Sequence, residues 1–167
     1  MRKPKVIGYR PTWAEVNLGN LAHNFRQIKS MVSGGTKIMV CVKADAYGHG
    51  LIPVVKKLVS LGVDYLGVAS IGEGIALRRE KIRQPILILG MVLVCDIAPL
   101  FSFNLTPTVC TEELAYALDR MARRLKQKIP VHIKVDTGMG RIGILPKDAL
   151  CFIRKAHRLK GLQIEGL

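Results

Sequence analysis

The sequence of 167 residues is poor in aromatics (5%), holds one Trp and four Cys, and has fewer than half as many acidic residues (12) as basic ones (26). Cys41, Cys95, Cys110 and Cys151 are scattered, with no C-x-x-C pair and no His at zinc-finger spacing, which argues against a disulfide framework or a metal site. Cys41 and Cys110 fall in apolar, strand-like segments, where a free thiol is expected to act as a small buried hydrophobe. The longest apolar run, Ile86 to Cys95, is about half of the ~20 residues a spanning helix needs, and Gly90 interrupts it. Lys3, Pro4, Lys5 and Arg10 leave no room in Met1 to Arg10 for the apolar core of a secretory signal. The expectation is a cytoplasmic protein without membrane contact.

What is present is a 49% apolar composition with a formal charge of +14, one domain's worth of chain with ample material for a core. The charge invites a polyanion partner, because a basic surface releases counterions from a phosphate backbone. Its distribution points elsewhere. The basic clusters at Arg78, Arg79, Lys81 and Arg83, at Arg120 to Lys128 and at Arg154 to Lys160 lie on or beside segments of helical periodicity, so they read as solvated helix faces. Aromatics suited to base stacking are scarce, and no nucleic-acid partner is expected.

Two periodicities alternate along the chain. Leu21, Phe25, Ile28 and Val32 recur at helical spacing before the break at Gly34-Gly35, and Lys37 to Val42 reads as a strand. A second helix carries Leu51, Val54, Val55 and Leu58, followed by a strand over Asp64 to Ala69. A short helix over Ile75 to Arg79 comes next, with Gly72 and Gly74 weakening its start. Strands are expected at Ile86 to Leu89, Leu105 to Val109 and Val131 to Asp136, with a helical turn or two within Asp96 to Phe101. Thr111 caps the clearest helix, and Pro146 suits the first turn of the last one. With the start of a sixth strand near Leu162 to Leu167, this is a βαβ pattern around a parallel sheet, either doubly wound or a (β/α) barrel. A barrel needs about eight strands to close, so the chain is expected to be the N-terminal part of a longer enzyme or to need a partner at its open edge.

Alternation puts Lys43 on one sheet face with Met39 and Cys41, at the C-terminal strand end where such folds place their active sites. The small and polar run Ala44 to Gly50 reads as a loop that a ligand can approach. A desolvated amine there would be nucleophilic toward an aldehyde, although spacing alone favours a lysine that snorkels to the surface. On the Val131 to Asp136 strand, His132, Lys134 and Asp136 share a face opposite Val131, Ile133 and Val135. A buried lysine at 134 requires a partner or neutralisation. Asp45 and His49 are expected to serve turn hydrogen bonds rather than chemistry.

The run Val42-Lys43-Ala44-Asp45-Ala46-Tyr47-Gly48-His49-Gly50 resembles the pyridoxal-phosphate attachment motif of alanine racemases. Trp13-Ala14-Glu15-Val16-Asn17-Leu18, Pro85 to Gly90 and Lys134-Val135-Asp136-Thr137-Gly138-Met139-Gly140-Arg141-Ile142-Gly143 follow in the family's order. The resemblance implies an incomplete (β/α)8 barrel of about five to six βα units, with residues 20–167 binding pyridoxal phosphate, residues 1–19 as a strand segment that pairs with a further β-domain, and that C-terminal domain absent. It implies that Lys43 bonds covalently to the cofactor and acts as one of two bases. It further implies that Tyr47 bonds the cofactor phosphate, that Arg141 binds cofactor and substrate carboxylate, and that Lys134 can be carbamylated to orient Arg141. The activity implied is interconversion of L- and D-alanine by a cytoplasmic homodimer supplying bacterial cell-wall precursors, this chain being nearly inactive alone. The alternatives are a serine or broad-specificity racemase and a non-catalytic pyridoxal-phosphate-binding protein.

Overall fold

The structure is a computed structural model that describes residues 13–167. Of the segment 1–19 expected as strand, residues 1–12 lie outside the described residues, 13–17 carry no ladder, and helix α1 (Leu18–Met31) begins within it. Asn17 caps α1, its side-chain oxygen accepting from Gly19 N at 2.8 Å and Asn20 N at 3.1 Å.

Six strands follow, β1 (Met39–Cys41), β2 (Tyr65–Val68), β3 (Ile86–Ile88), β4 (Thr106–Val109), β5 (Ile129–Ile133) and β6 (Leu162–Gly166). Every neighbouring pair is parallel and the spatial order equals the chain order. A doubly wound sheet reverses its order at a switch point. The uninterrupted order is that of a barrel, here a partial one, with β1 and β6 each having one neighbour among the described residues.

Between the strands lie α2 (Lys43–Gly48), α3 (Leu51–Ser60), α4 (Ile71–Arg79), α5 (Ala98–Ser102), α6 (Glu112–Arg124) and α7 (Pro146–His157). They cover one face of the sheet. Val42, Leu66, Val68, Ile86, Ile88, Val109, Val131 and Ile133 point to that side and are buried against Leu58, Leu77, Leu100 and Leu118. Each such side chain contributes roughly 1.5–3 kcal/mol of burial. The opposite face carries Cys41, Gly67, Leu87, Thr106, His132 and Gln163. Cys41 is exposed because it stands on this inner side, which no helix covers, and not in the helix-packed core its apolar neighbours suggested.

Two expectations need adjustment. Helix α4 begins at Ile71, before the predicted start, because Ser70 and Glu73 form a reciprocal capping box that offsets the two glycines. Gly74 has a packing reason, since a Cβ there would lie 3.0 Å from the Leu105 methyls. The run after Lys43 is also no open loop. It is a single left-handed helical turn.

Candidate active site

Ala44, Asp45, Ala46 and Tyr47 all have positive φ, between 51° and 55°. Left-handed helix brings Cβ against the following carbonyl and costs roughly 1–2 kcal/mol per residue for L-amino acids. Local bonds offset that strain. Ala46 N donates to Val42 O at 2.9 Å, Gly50 N to Asp45 O at 3.0 Å, and Leu51 N to the Asp45 carboxylate at 2.6 Å. His49 Nδ1 lies 2.9 Å from Ala46 O. Asp45 and His49 therefore hold the turn, in the role expected of them. The turn brings the Tyr47 ring alongside the Lys43 amine, with Nζ 5.9 Å from the ring centroid. Lys43 is half-buried and Tyr47 exposed.

The other candidates lie at the same, C-terminal edge of the sheet. Lys134 directly follows β5 and keeps its ladder, its N donating to Val109 O at 3.0 Å. Its side chain is half-buried, and Nζ reaches Leu89 O at 3.5 Å, a long contact. Cys110 stands beside it on the inner side. Burial pushes the Cys110 thiol up, against the opposing effects of the Gly143 N–H and the Lys134 charge.

The loop from Thr137 to Gly143 is tied at its base, where Asp136 N donates to Ile144 O at 2.8 Å and Ile144 N to Lys134 O at 2.9 Å. Asp136 organises the inside of the loop, its Oδ1 accepting from Gly138 N and Gly140 N at 3.0 Å each. These N–H groups, Gly140 first, hold the Asp136 carboxyl below the usual carboxylate range. Gly143 sits at φ +138°, and a Cβ there would come within 2.6 Å of Asp136 N. Arg141 is exposed and makes no side-chain hydrogen bond among the described residues. The fold thus brings Lys43 to Tyr47 and sets Lys134 and the Arg141 loop on the same edge, without a bond between Lys134 and Arg141.

Deeper on the inner face, the Tyr65 hydroxyl donates to Thr106 Oγ1 at 2.9 Å, and its ring centroid is 5.7 Å from that of His132. Burial raises the phenol's pKa and lowers that of the imidazole. A separate hollow of about 540 Å³ lies between α1 and β1, lined by Val16, Asn20, Leu21, Val40, Tyr47 and His49. Tyr47, Val42 and Ala46 line it and Lys43 does not. Among the described residues, no cluster of three His, Cys, Asp or Glu could hold a metal ion, and no helix is long and apolar enough to cross a membrane.

Sequence reasoning missed Glu73. One of its oxygens accepts from Ala44 N at 2.7 Å and the other from Ala69 N at 2.7 Å and Ser70 N at 3.4 Å. The spacing Ser70-x-x-Glu73 is a capping-box signal and would have marked the helix start. The bond to Ala44 had no such signal, because it joins segments distant in the chain.

Known proteins are similar to this chain in sequence and fold. Alanine racemase from Halothermothrix orenii is 49% identical over 158 residues, which cover 95% of this chain and 42% of that protein. The solved alanine racemase from Clostridium difficile 630 in complex with cycloserine matches at a TM-score of 0.89 and 40% identity, over 95% of this chain and 44% of the other. A histidine racemase from Leuconostoc mesenteroides subsp. sake matches at 0.78 and 26%, over 87% of this chain and 39% of its own. The chain therefore spans less than half the length of these relatives. The family described as the alanine racemase N-terminal domain matches residues 16–167, and the chain belongs to that family.

Proposed function

We propose that the whole protein is a pyridoxal-phosphate-dependent racemase interconverting L- and D-alanine, and that this chain supplies its cofactor-anchoring half-site. One observation carries the reading. The Lys43 amine stands at the C-terminal end of β1 with the Tyr47 ring 5.9 Å away, delivered there by four successive left-handed residues. Backbone strain of that kind persists only where surrounding contacts hold it, and it concentrates at functional sites.

The donor set fits the cofactor. A primary amine suits its aldehyde, a phenol its phosphate, and a permanently charged guanidinium its ring oxygen or a substrate carboxylate. When bound, pyridoxal phosphate supplies the electron sink that makes an amino acid's α-proton removable. Lys43 would hold the cofactor through its aldehyde carbon, and its Nζ would take or return the proton at the substrate Cα. The Tyr47 hydroxyl would donate to a phosphate oxygen. Arg141, free of other side-chain bonds among the described residues, is available for the carboxylate. Lys134, with only its 3.5 Å contact to Leu89 O, is suited to carbamylation. There the ammonium first gives up a proton to water, and the neutral Nζ then bonds to the carbon of CO2 with loss of a second proton, leaving a carbamate anion that orients Arg141.

Racemisation needs a second base on the opposite face of the substrate. We assign it to a partner subunit in a cytoplasmic homodimer, with D-alanine going to cell-wall precursors, residues 20–167 forming the cofactor barrel and 1–19 pairing with a further domain. The likeness to a histidine racemase favours a second reading, a racemase with another amino-acid substrate.

Incubating the chain with pyridoxal phosphate tests the anchor. A visible absorption band that borohydride bleaches while leaving the cofactor irreversibly attached, with both band and attachment absent in Lys43→Ala, is the expected result. A band of equal strength in Lys43→Ala would remove Lys43 from the role. Rates for the whole protein with alanine, serine and histidine then decide the substrate, alanine being expected fastest.

A further inference from the structure

We infer that Glu73 is a positioning residue for Lys43, acting through the backbone of Ala44. This rests on the reading of Lys43 as the cofactor anchor and names what holds that lysine in place. The β1–β2 ladder runs through Tyr65 N to Ile38 O at 3.2 Å and Val42 N to Gly67 O at 2.8 Å. Its continuation would pair Ala44 N with Ala69 O and Ala69 N with Val42 O. The left-handed turn removes both rungs, because the chain swings away after Lys43 and Val42 O is taken by Ala46 N.

Two backbone donors are thereby left at the active edge. One carboxylate takes both, with Oε1 on Ala44 N and Oε2 on Ala69 N, each at 2.7 Å. Charge-assisted bonds of this length are the strong ones. Glu73 is carried by the first turn of α4, and the Ser70 hydroxyl touches its backbone N–H rather than its carboxylate. A carboxylate from this helix thus replaces the last two rungs between the strands and pins the residue that follows Lys43. Glu73 reaches neither Lys43 Nζ nor any reacting atom in the structure, so its effect on chemistry is indirect.

Capping and positioning can be separated, because Ser70→Ala weakens the helix start while leaving the carboxylate bond to Ala44. The test compares the full wild-type chain with Glu73→Gln and Ser70→Ala by amide hydrogen exchange and by acetylation of Lys43 with acetic anhydride, scored against the exposed Lys147. In Glu73→Gln the exchange of Ala44 and Ala69 is expected to rise about tenfold, the size of one charge-assisted bond lost, and the relative acetylation rate of Lys43 to change several-fold. In Ser70→Ala both should stay near wild type. In the wild-type chain the Ala44 and Ala69 amides should be protected from exchange although neither donates to the strand ladder, a readout that needs no variant to fold. Unchanged Ala44 exchange in Glu73→Gln, unprotected Ala44 and Ala69 amides in the wild type, or a Ser70→Ala effect on Lys43 as large as that of Glu73→Gln would overturn the assignment. None of these readouts uses pyridoxal phosphate, so failure of Lys43 to capture the cofactor would sink the functional reading and leave this one to be judged separately.

Discussion

Asp136 shows how much of the site depends on one carboxylate whose hydrogen-bond donors among the described residues are backbone N–H groups. Its Oδ1 receives two glycine N–H groups across the turn that carries Arg141. Both donors favour the ionised form, so the folded-state pKa lies below the unfolded value. The resulting stabilisation is present above the ordinary carboxylate range and is lost as pH falls through the lowered folded-state value, where the native carboxylate finally protonates. An NMR titration should find Asp136 protonating below an unstructured Asp. Asp136→Asn, which keeps one acceptor oxygen but no charge, should speed amide exchange at Gly138 and Gly140 several-fold. His132 acts in the same direction on the inner face, at higher pH. Burial lowers its pKa, so lowering the pH past the ordinary histidine value favours the unfolded chain, which binds the proton more readily.

At the scale of elements, Arg78 joins three segments without meeting a carboxylate. From the last turn of α4 it donates to Ile82 O and Gln84 O before β3, and to Phe103 O and Asn104 O before β4, at 2.7 to 2.9 Å. Arg78→Met keeps the aliphatic stem but leaves four carbonyls without their donor. It should cost about 2 kcal/mol or more, read as a lower denaturation midpoint in urea. The sequence marked Arg78 only as part of a solvated basic cluster, because residue type carries no record of carbonyls brought together by folding. The order of elements was far more legible. Thr111 accepts from Leu114 N as expected of a cap, Pro146 opens α7, and β5 alternates buried Val131 and Ile133 with half-buried His132. Ala-Asp-Ala-Tyr holds no glycine to announce left-handed backbone, so the turn that sets Lys43 beside Tyr47 could not be read from composition. The motif pointed to this edge of the sheet, and tertiary bonds determine the shape of the turn there.

For the whole molecule, the excess of positive charge is set by composition, 26 basic against 12 acidic residues, and the fold engages five of the carboxylates through backbone N–H groups. Asp45, Asp64, Glu73, Asp119 and Asp136 all accept from backbone N–H groups, and so serve the fold more than they neutralise cations. Lys56–Glu80 and Lys155–Glu112, both at 2.7 Å, are substantially exposed pairs of the kind that contribute little to stability. Added salt acts on two opposed terms, weakening these pairs and screening the mutual repulsion of a net +14. The screening length falls from about 30 Å at 0.01 M to about 8 Å at 0.15 M, so repulsion among the basic faces of α6 and α7 is removed while pairs in contact retain most of their attraction. Repulsion therefore governs the sign, and the thermal midpoint should rise across that range of sodium chloride. A falling midpoint would mean that the exposed pairs outweigh the net charge. The same titration separates general polyanion affinity from a specific partner, since binding to a random-sequence duplex should weaken steeply as salt increases.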